Sequence, residues 1–203
     1  MDLFSSNTPE IACISDDNLL IYNIPQAFTI SEANAYYQTL KDTLAWRQDY
    51  ATIFGKQVAL PRLSAWYGDT EKSYSYSGIH LDPLPWTPAL LEIKQKLESY
   101  TDARFNSVLC NLYRDGKDYV GWHTDAEPEL GRNPIIGSVN FGETREFQLR
   151  RMDDKAYKKE FELKHGTILI MAGETQHFWQ HQVPKRAKVS RDRINLTFRT
   201  IVS

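Results

Sequence analysis

Cysteine is scarce in this sequence, and long apolar runs are absent. The 203 residues contain only Cys13 and Cys110, too few for a disulfide scaffold and unable by themselves to form a structural zinc site. We therefore expect a reducing compartment, the cytoplasm, or the nucleus in a eukaryote. No run approaches the roughly 20 apolar residues of a membrane span, and residues 1–6 lack the basic and apolar regions of a signal peptide. The sequence thus predicts a folded domain with no membrane partner.

Net charge is also low, with a formal value of −2 at pH 7. The sum conceals a gradient, because residues 1–103 carry 7 basic and 13 acidic side chains whereas residues 104–203 carry 17 basic and 13 acidic ones. A phosphate backbone responds to a local basic surface rather than to the whole-chain sum. The low net charge therefore does not exclude a nucleic-acid partner, although such gradients are also common on solvated surfaces.

Two segments of the N-terminal half have the spacing of amphipathic helices. The first opens at Ser31, and the second runs from about Thr87 to Tyr100. Residues 19–24 form a predicted arm or short strand ahead of them. We expect the first helix to pack one face on a sheet. The positions on the apolar stripe are Ala33, Tyr36, Tyr37, Leu40 and Leu44 in the first helix, and Leu90, Leu91, Lys94, Leu97 and the less well aligned Ile93 in the second.

Short predicted strands separated by turns follow from Asn106 onward. Many short strands without intervening helices favour a sandwich or jelly roll over a parallel sheet with crossover helices. The sequence therefore predicts one mainly β (α+β) domain, residues 1–203, with helices bracing its N-terminal side. The predicted strands are residues 107–113, 135–141, 146–150, 157–163, 167–171 and 194–201.

The segment at residues 122–125 has the spacing of a metal site. On a strand, residues i and i+2 point to the same face, so His123 and Asp125 can direct an imidazole and a carboxylate at one point. One distant histidine, His177 or His181, would complete a 2-His-1-carboxylate set. That set leaves positions open on a six-coordinate Fe(II) for a bidentate co-substrate and dioxygen. Alone, a His-X-Asp pair is more often a surface contact or a hydrogen bond.

Arginine occupies both ends of an alternating segment from Arg193 to Arg199. Every second residue of this segment is polar and would share one face of a strand. Two guanidiniums on an inward face need anions, because a buried unpaired arginine is very costly. A dicarboxylate such as 2-oxoglutarate would supply a carboxylate at each end, in the geometry that arginine favours. Without the His-X-Asp pair, two exposed arginines on an edge strand would be the preferred interpretation.

Further blocks accompany these motifs: residues 61–68 (PRLSAWYG), 74–78 (YSYSG), 85–86 (PW), 105–114 (FNSVLCNLYR), 123–131 (HTDAEPELG), 134–142 (PIIGSVNFG), 165–171 (HGTILIM) and 179–184 (WQHQVP). Over about residues 50–201 the sequence resembles the AlkB family of Fe(II)/2-oxoglutarate-dependent dioxygenases, and most of all its animal-type members that repair N1-methyladenine and N3-methylcytosine. The resemblance implies a double-stranded β-helix core at residues 104–201 and a nucleotide-recognition lid at residues 51–85. Residues 1–50 would form an N-terminal arm and helix.

The resemblance also implies roles for single residues. The implied iron ligands are His123, Asp125 and His181. These three residues and Arg199 are the implied catalytic residues. His181 is preferred to the competing His177 because it directly precedes Gln-Val-Pro, twelve residues ahead of the arginine segment.

The arginine segment would bind the co-substrate. Arg193 would pair with the distal carboxylate of 2-oxoglutarate, and Arg199 would lie near the carboxylate that binds iron. The complete set of implied 2-oxoglutarate contacts is Asn111, Tyr113, Arg193, Asn195 and Arg199.

A methyl group on N1 of adenine or N3 of cytosine lies on the Watson–Crick edge, so the base must be flipped out or single-stranded before it can react. A pocket for it needs aromatic faces and polar groups for the base edge. The resemblance places Tyr74 and Tyr76 on the base-binding strand and Glu127 at the base edge. Phe54 would be either a wedge inserted into the base stack or a core residue. The full set of implied substrate contacts is Tyr74, Tyr76, Ser77, Glu127, Trp66 and Phe54.

The resemblance thus implies oxidative demethylation of alkylated bases in DNA, or also in RNA, by a monomer that uses Fe(II), 2-oxoglutarate and dioxygen and releases formaldehyde. Basic residues 185–191, with Arg150 and Arg151, would contact phosphates.

Two alternatives remain, a dioxygenase acting on a protein or lipid and a non-catalytic cupin-type metal-binding module. Glu127 and the tyrosine-rich strand disfavour the first. The arginine pair disfavours the second, because a binding module needs no buried anion clamp.

Overall fold

The computed structural model describes residues 10–53, 55–69, 74–76, 79–81 and 83–202. In chain order, its elements up to the second helix are β1 (Ala12–Asp16), β2 (Leu19–Ile24), α1 (Ile30–Thr43), β3 (Arg47–Ile53), β4 (Lys56–Gly68), β5 (Tyr74–Tyr76), β6 (Ile79–Leu81) and α2 (Pro88–Glu98). The elements that follow are β7 (Ser107–Tyr113), β8 (Val120–His123), β9 (Ile136–Gly142), β10 (Arg145–Arg151), β11 (Lys158–Leu163), β12 (Thr167–Ala172), α3 (Thr175–Phe178), β13 (Trp179–Val183) and β14 (Arg193–Arg199).

Two antiparallel sheets form the body of the described chain. The larger has the strand order β1-β2-β12-β9-β14-β7-β4-β3, and the smaller has the order β11-β10-β13-β8. Many neighbours in space are distant in sequence; β14, for example, pairs with β9 on one side and with β7 on the other. This arrangement confirms the predicted mainly β, jelly-roll class.

Two apolar cores lie on opposite faces of the larger sheet. Alternate residues of β14, such as Leu196 and Phe198, join the core beneath the helices. Met171 of the larger sheet meets Trp179 and Val183 of the smaller sheet in the second core. Because both faces are covered, β7 and β12 consist entirely of buried residues. The polar face of β14 is thereby directed toward the smaller sheet.

Both predicted helices are present, and each begins at a capping residue. The Thr29 hydroxyl accepts a hydrogen bond from the backbone N–H of Glu32, whose carboxylate accepts one from the Thr29 N–H in return. Thr87 caps α2 by accepting a hydrogen bond from the Leu90 N–H, and Pro88 occupies the first turn. None of the described helices is long and apolar enough to cross a membrane.

The buried face of α2 differs slightly from the prediction. Ile93 is fully buried with Leu90 and Leu97, whereas Leu91 is 38% exposed. These three buried residues follow the i, i+3, i+7 spacing of one helix face, and Leu91 lies outside that stripe. The predicted place of Leu91 in the apolar face is therefore wrong.

The first residues of the described chain form a hairpin. The predicted strand at residues 19–24 is confirmed, and β1 precedes it as its partner. Asp17 and Asn18 have positive φ angles of 40° and 64°, as a tight two-residue hairpin turn requires. Since β2 also pairs with β12, this hairpin extends the larger sheet.

A second hairpin, β3 and β4, forms the opposite edge of the larger sheet. Residues 55–59 of it are exposed, whereas residues 64–68 are buried where β4 pairs with β7. β5 and β6 pair as a separate two-stranded sheet. Residues 51–85 therefore include most of the β3–β4 hairpin and the described β5–β6 pair, and their role as a lid stays a prediction.

Gly142 at the end of β9 is a position where a side chain should be costly. Its φ is +88°, and an added Cβ would lie 2.6 Å from the Asp192 carbonyl oxygen and 2.9 Å from the Tyr37 ring. A left-handed backbone costs an L-residue about 1–2 kcal/mol before any clash. We expect Gly142→Ala to lower the free energy of unfolding by at least that amount, measured by urea denaturation. The matched control is Gly121→Ala, whose Cβ meets nothing within 4 Å; an equal loss in both variants would contradict this account.

Candidate metal and co-substrate site

Two histidines face each other across adjacent strands of the smaller sheet. His123 ends β8 and is in register with His181 in the middle of β13. Their ring centroids are 4.2 Å apart. The His123 Nδ1 lies 2.8 Å from the Gly121 carbonyl oxygen, so its Nε2 is the atom turned toward the neighbouring side chains. Antiparallel pairing thus brings the two predicted imidazoles together.

Asp125 joins the histidines from the loop after β8. Because β8 ends at His123, the predicted strand geometry with both residues on one face is wrong, although the two side chains do converge. Asp125 Oδ1 lies 3.8 Å from His123 Nε2. One ligand atom from each of His123, Asp125 and His181 lies within 4.8 Å of the others. The loop therefore supplies the carboxylate of a three-residue cluster.

A buried ion pair keeps Asp125 charged. Arg199 Nη2 donates to Asp125 Oδ2 at 2.8 Å, and the two side chains are 3% and 1% exposed. Burial alone would raise the pKa of Asp125, but the charge and hydrogen bond of Arg199 together with the two nearby histidines outweigh it and lower the pKa to about 2. The carboxylate is thus ionised at neutral pH, as a metal ligand must be.

Burial keeps His181 neutral. The side chain packs beside Phe147, with ring centroids 5.3 Å apart. Burial and the neighbouring His123 lower the pKa of His181 to about 3, so it carries the neutral form that coordinates metals. His181 Nδ1 and Asp125 Oδ1 are buried without a hydrogen-bond partner among the described residues. Two imidazoles and a carboxylate with open donor atoms fit a divalent iron.

His177 points elsewhere. It lies in the short helix α3, where its Nε2 contacts the Arg132 carbonyl oxygen and lies 3.0 Å from Asn133 Oδ1. The helical turn removes it from the strand alternation on which His181 lies. The geometry therefore does not support His177 as the third metal ligand.

The polar face of β14 carries the second group of predicted residues. Arg193 is 1% exposed, and its Nη2 donates to Asn140 Oδ1 while its guanidinium stacks on the Tyr113 ring at 5.1 Å. Burial lowers the pKa of Arg193 to about 10, so it remains charged at neutral pH. Its Nε and Nη1 are buried and have no hydrogen-bond partner in the described part of the chain. A buried guanidinium with open donors fits an anionic ligand.

Neighbouring strands add amides to the same face. Asn195 pairs in register with Asn111 of β7 and donates to Ser138 Oγ at 2.9 Å. Asn111 Oδ1 accepts a hydrogen bond of 2.8 Å from Arg62 Nε of β4. All four side chains are buried.

One cavity joins the two groups. It is lined by the histidine–aspartate cluster, by the polar face of β14, and by Phe147 and Met171. Among the described residues that line it, three guanidiniums, those of Arg62, Arg193 and Arg199, face a single carboxylate. The site therefore has a surplus of positive charge before any metal binds.

Several cavity and supporting residues escape the sequence-based interpretation. Ser138 and Asn140 are polar at i and i+2 of an otherwise apolar strand, and Arg62 and Ser64 repeat that pattern; this signal could have identified them. Gln176 accepts a hydrogen bond from the Asp125 backbone but lies in the helical turn α3, where no sequence periodicity marks it.

The predicted substrate contacts divide into three groups. Trp66 is 3% exposed and packs with Leu109, Leu130 and Ile201, so it belongs to the core and offers no open face to a base. Glu127 precedes a 3-10 turn, and its Oε2 is buried without a described hydrogen-bond partner. Phe54, Ser77 and the side chains of Tyr74 and Tyr76 lie outside the described residues.

Most of the predicted phosphate contacts already have partners within the chain. Arg186 pairs with Glu146, and Arg191 pairs with Glu143 at 2.7 Å. Arg151 pairs with Asp17 and Asp153, whereas Arg150 stacks over Trp122 and donates to Gln180. These contacts reduce the basic charge available to a phosphate backbone, which weakens this part of the sequence-based interpretation.

Comparison with known proteins adds an independent view. Residues 21–199 match the model of the 2OG-Fe(II) oxygenase superfamily. The chain is 45% identical to the alpha-ketoglutarate-dependent dioxygenase alkB homolog 3 of Bos taurus, over 87% of this chain and 64% of that protein, so it spans just under two thirds of that relative. It is 32% identical to the DNA oxidative demethylase ALKBH2 of Arabidopsis thaliana, over 98% of this chain and 72% of that protein. The solved structure of OsALKBH1 shares the fold, with a TM-score of 0.64 at 15% identity, covering 94% of this chain and 100% of that one.

The buried ion pair should contribute to the pH dependence of stability. A carboxyl with a lowered pKa stabilises the fold above its unfolded pKa of about 3.9, and this contribution disappears as the pH falls through about 2. We expect Asp125→Asn in the metal-free protein to lower the free energy of unfolding by about 3–5 kcal/mol at pH 7, since the buried ion pair with Arg199 is broken. Urea titrations at several pH values should show a constant difference from pH 8 to 5 that shrinks below about pH 4.

Asp153→Asn is the matched control for this prediction. Asp153 also has a pKa lowered to about 2, by its hydrogen bond with Arg151, but its side chain is 68% exposed. Solvent screens an exposed pair, so the loss should be far smaller. Equal losses in the two variants would show that burial of the Asp125 pair has no special weight.

Proposed function

Because the chain belongs to the AlkB family of the 2OG-Fe(II) oxygenase superfamily, we propose that it is an Fe(II)/2-oxoglutarate-dependent dioxygenase that demethylates alkylated nucleobases. One observation carries the proposal: a single cavity holds a His–Asp–His cluster beside a buried arginine with open donors. The cluster suits the metal and the arginine suits a dicarboxylate, and a metal-binding module would need only the first.

His123, Asp125 and His181 would hold the iron. With 2-oxoglutarate and dioxygen, the iron centre supplies oxidation of an N-methyl carbon to a hydroxymethyl group, which leaves the base as formaldehyde. The residues of the chain itself would orient the metal ligands and keep water out of the cavity. Arg199 holds one oxygen of Asp125 and leaves the other directed at the histidines, while Phe147 and Met171 keep the cavity wall apolar.

Arg193 would bind the distal carboxylate of 2-oxoglutarate. Its Nη2 is held by Asn140 and its plane by Tyr113, so Nε and Nη1 are already fixed in direction. A preorganised guanidinium loses little entropy on binding, which favours a charge-assisted contact with a carboxylate. Asn111, Asn195 and Tyr113 would complete this part of the site from neighbouring positions of β7 and β14.

The proposed substrate is DNA or RNA that carries N1-methyladenine or N3-methylcytosine. The relatives include a protein named as a DNA oxidative demethylase, and a flipped or single-stranded base would have to enter the cavity. The Oε2 of Glu127, which is buried and has no hydrogen-bond partner among the described residues, is suited to the polar edge of such a base. Tyr74, Tyr76, Ser77 and Phe54 remain predicted contacts. We further propose that the chain acts as a monomer, in the cytoplasm or nucleus.

Removal of a metal ligand should abolish turnover. We expect His123→Ala to release no formaldehyde from an oligonucleotide that contains N1-methyladenine, at iron and 2-oxoglutarate concentrations that saturate the wild type. Fluorimetric formaldehyde detection on methylated single- and double-stranded DNA and RNA measures this and also ranks the substrates. Full turnover by the variant would refute the metal assignment, and no turnover by the wild type on any of the four would refute the nucleobase substrate.

Removal of the proposed carboxylate anchor should affect the co-substrate first. We expect Arg193→Met to raise the KM for 2-oxoglutarate by about 10-fold or more, because a charge-assisted contact with the carboxylate is lost. Arg150→Met, on the opposite face of the smaller sheet, is the matched control and should leave this KM unchanged. Steady-state assays at fixed oligonucleotide concentration distinguish the two; an unchanged KM in Arg193→Met would place the anchor elsewhere.

A further inference from the structure

We propose that Gln176 is a positioning residue for the metal, acting through the backbone of Asp125. This inference rests on the proposed function, since it takes Asp125 as an iron ligand. Gln176 lies in the turn between β12 and β13 and does not itself line the cavity. Its contact with the ligand loop is nevertheless fully buried.

The contact has a defined direction. Gln176 Oε1 accepts a hydrogen bond of 2.9 Å from the Asp125 N–H, and both residues are 1% exposed. The other end of the amide, Nε2, lies 3.4 Å from Met171 Sδ and donates to it. A sulfur accepts but cannot offer an N–H or O–H in return, so Met171 fixes the amide with its carbonyl toward Asp125.

Asp125 needs such support because no strand provides it. β8 ends two residues earlier, and the pairing of β8 with β13 is irregular between His181 and Val183. Arg199 restrains the Asp125 carboxylate from one side. Gln176 restrains the Asp125 backbone from the other side, so that both the backbone and the carboxylate of Asp125 are held in place.

Hydrogen bonds on both sides of Gln176 hold the segment that carries it. The Thr175 hydroxyl accepts a hydrogen bond from the Leu20 N–H and donates to the Ala172 carbonyl oxygen at 2.7 Å. Trp179, just after α3, donates its indole N–H to the Asp17 carbonyl oxygen at 3.0 Å. The hairpin of β1 and β2 thus anchors α3 at both ends.

The arrangement links two of the three ligands through one short segment. α3 leads directly into β13, which carries His181, while Gln176 reaches across to Asp125. Any displacement of α3 would therefore move the imidazole and the carboxylate relative to each other. Groups that orient metal ligands in this way typically change metal affinity by about 10- to 100-fold when they are removed.

The experiment measures metal binding without turnover. Fe(II) is titrated anaerobically into wild type, His123→Ala, Gln176→Met and Gln182→Met, and Co(II) absorption reports the symmetry of the bound ion. Methionine keeps the approximate length of glutamine and replaces its carbonyl oxygen by sulfur, a much weaker acceptor. Gln182→Met is the matched control, because Gln182 lies in β13 on the opposite face and bonds only to Gln148 among the described residues. Thermal melting of each metal-free protein is recorded alongside.

We expect the Fe(II) dissociation constant of Gln176→Met to rise by about 10-fold or more, with an altered Co(II) spectrum and a metal-free protein that still melts in one cooperative transition. The control should bind as the wild type does. Wild-type affinity in Gln176→Met would overturn this inference and leave the proposed function intact. Wild-type protein that binds Fe(II) no better than His123→Ala would instead overturn the metal site itself.

A second variant covers the case in which Gln176→Met melts early. Gln176→Glu retains an oxygen that can accept the Asp125 N–H. Recovery of most of the Fe(II) affinity in this variant supports the positioning role. A loss of affinity equal to that of Gln176→Met would show that the acceptor does not matter and would overturn the inference.

Discussion

The ion pair between Arg199 and Asp125 is the contact on which the rest of the site depends. Neither group could be buried alone, because an uncompensated charge in this interior would cost several kcal/mol. Each therefore fixes the other: Arg199 comes from the central strand of the larger sheet, and Asp125 from a loop beside the smaller one. The pair ties the two sheets together at the point where the histidines converge. It also occupies one carboxylate oxygen and so determines which one faces them.

One strand separates the two environments of this domain. The odd-numbered residues of β14, from Arg193 onward, line the cavity, whereas the even-numbered ones, such as Leu196 and Phe198, fill the core under the helices. A register slip of one residue would bury guanidiniums in the apolar core and turn leucine and phenylalanine into the cavity. Fold and site are thus specified by the same seven residues. This coupling leaves little freedom for substitution on either face.

Local patterns made much of this architecture predictable. The alternation in β14 and β7, the caps of α1 and α2, and the His-X-Asp spacing are all properties of short sequence windows. The pairing of His123 with His181, and the loop position of Asp125, depend on contacts between distant segments that no window contains. The contact between Gln176 and Asp125 also joins distant segments, so no short sequence window predicts it. The predicted substrate contact of Trp66 does not fit its place in the core, because aromatic content alone does not distinguish a stacking surface from the core.

The central position of β14 has a consequence for how the chain folds. This strand is synthesised after every other described strand, yet it lies between β9 and β7. Until it inserts, the larger sheet is two separate pieces whose inner edges have unpaired backbone groups. Such late, non-local pairing makes folding slow and exposes the nascent chain to aggregation. Nearly the whole domain must therefore have left the ribosome before either piece can be completed.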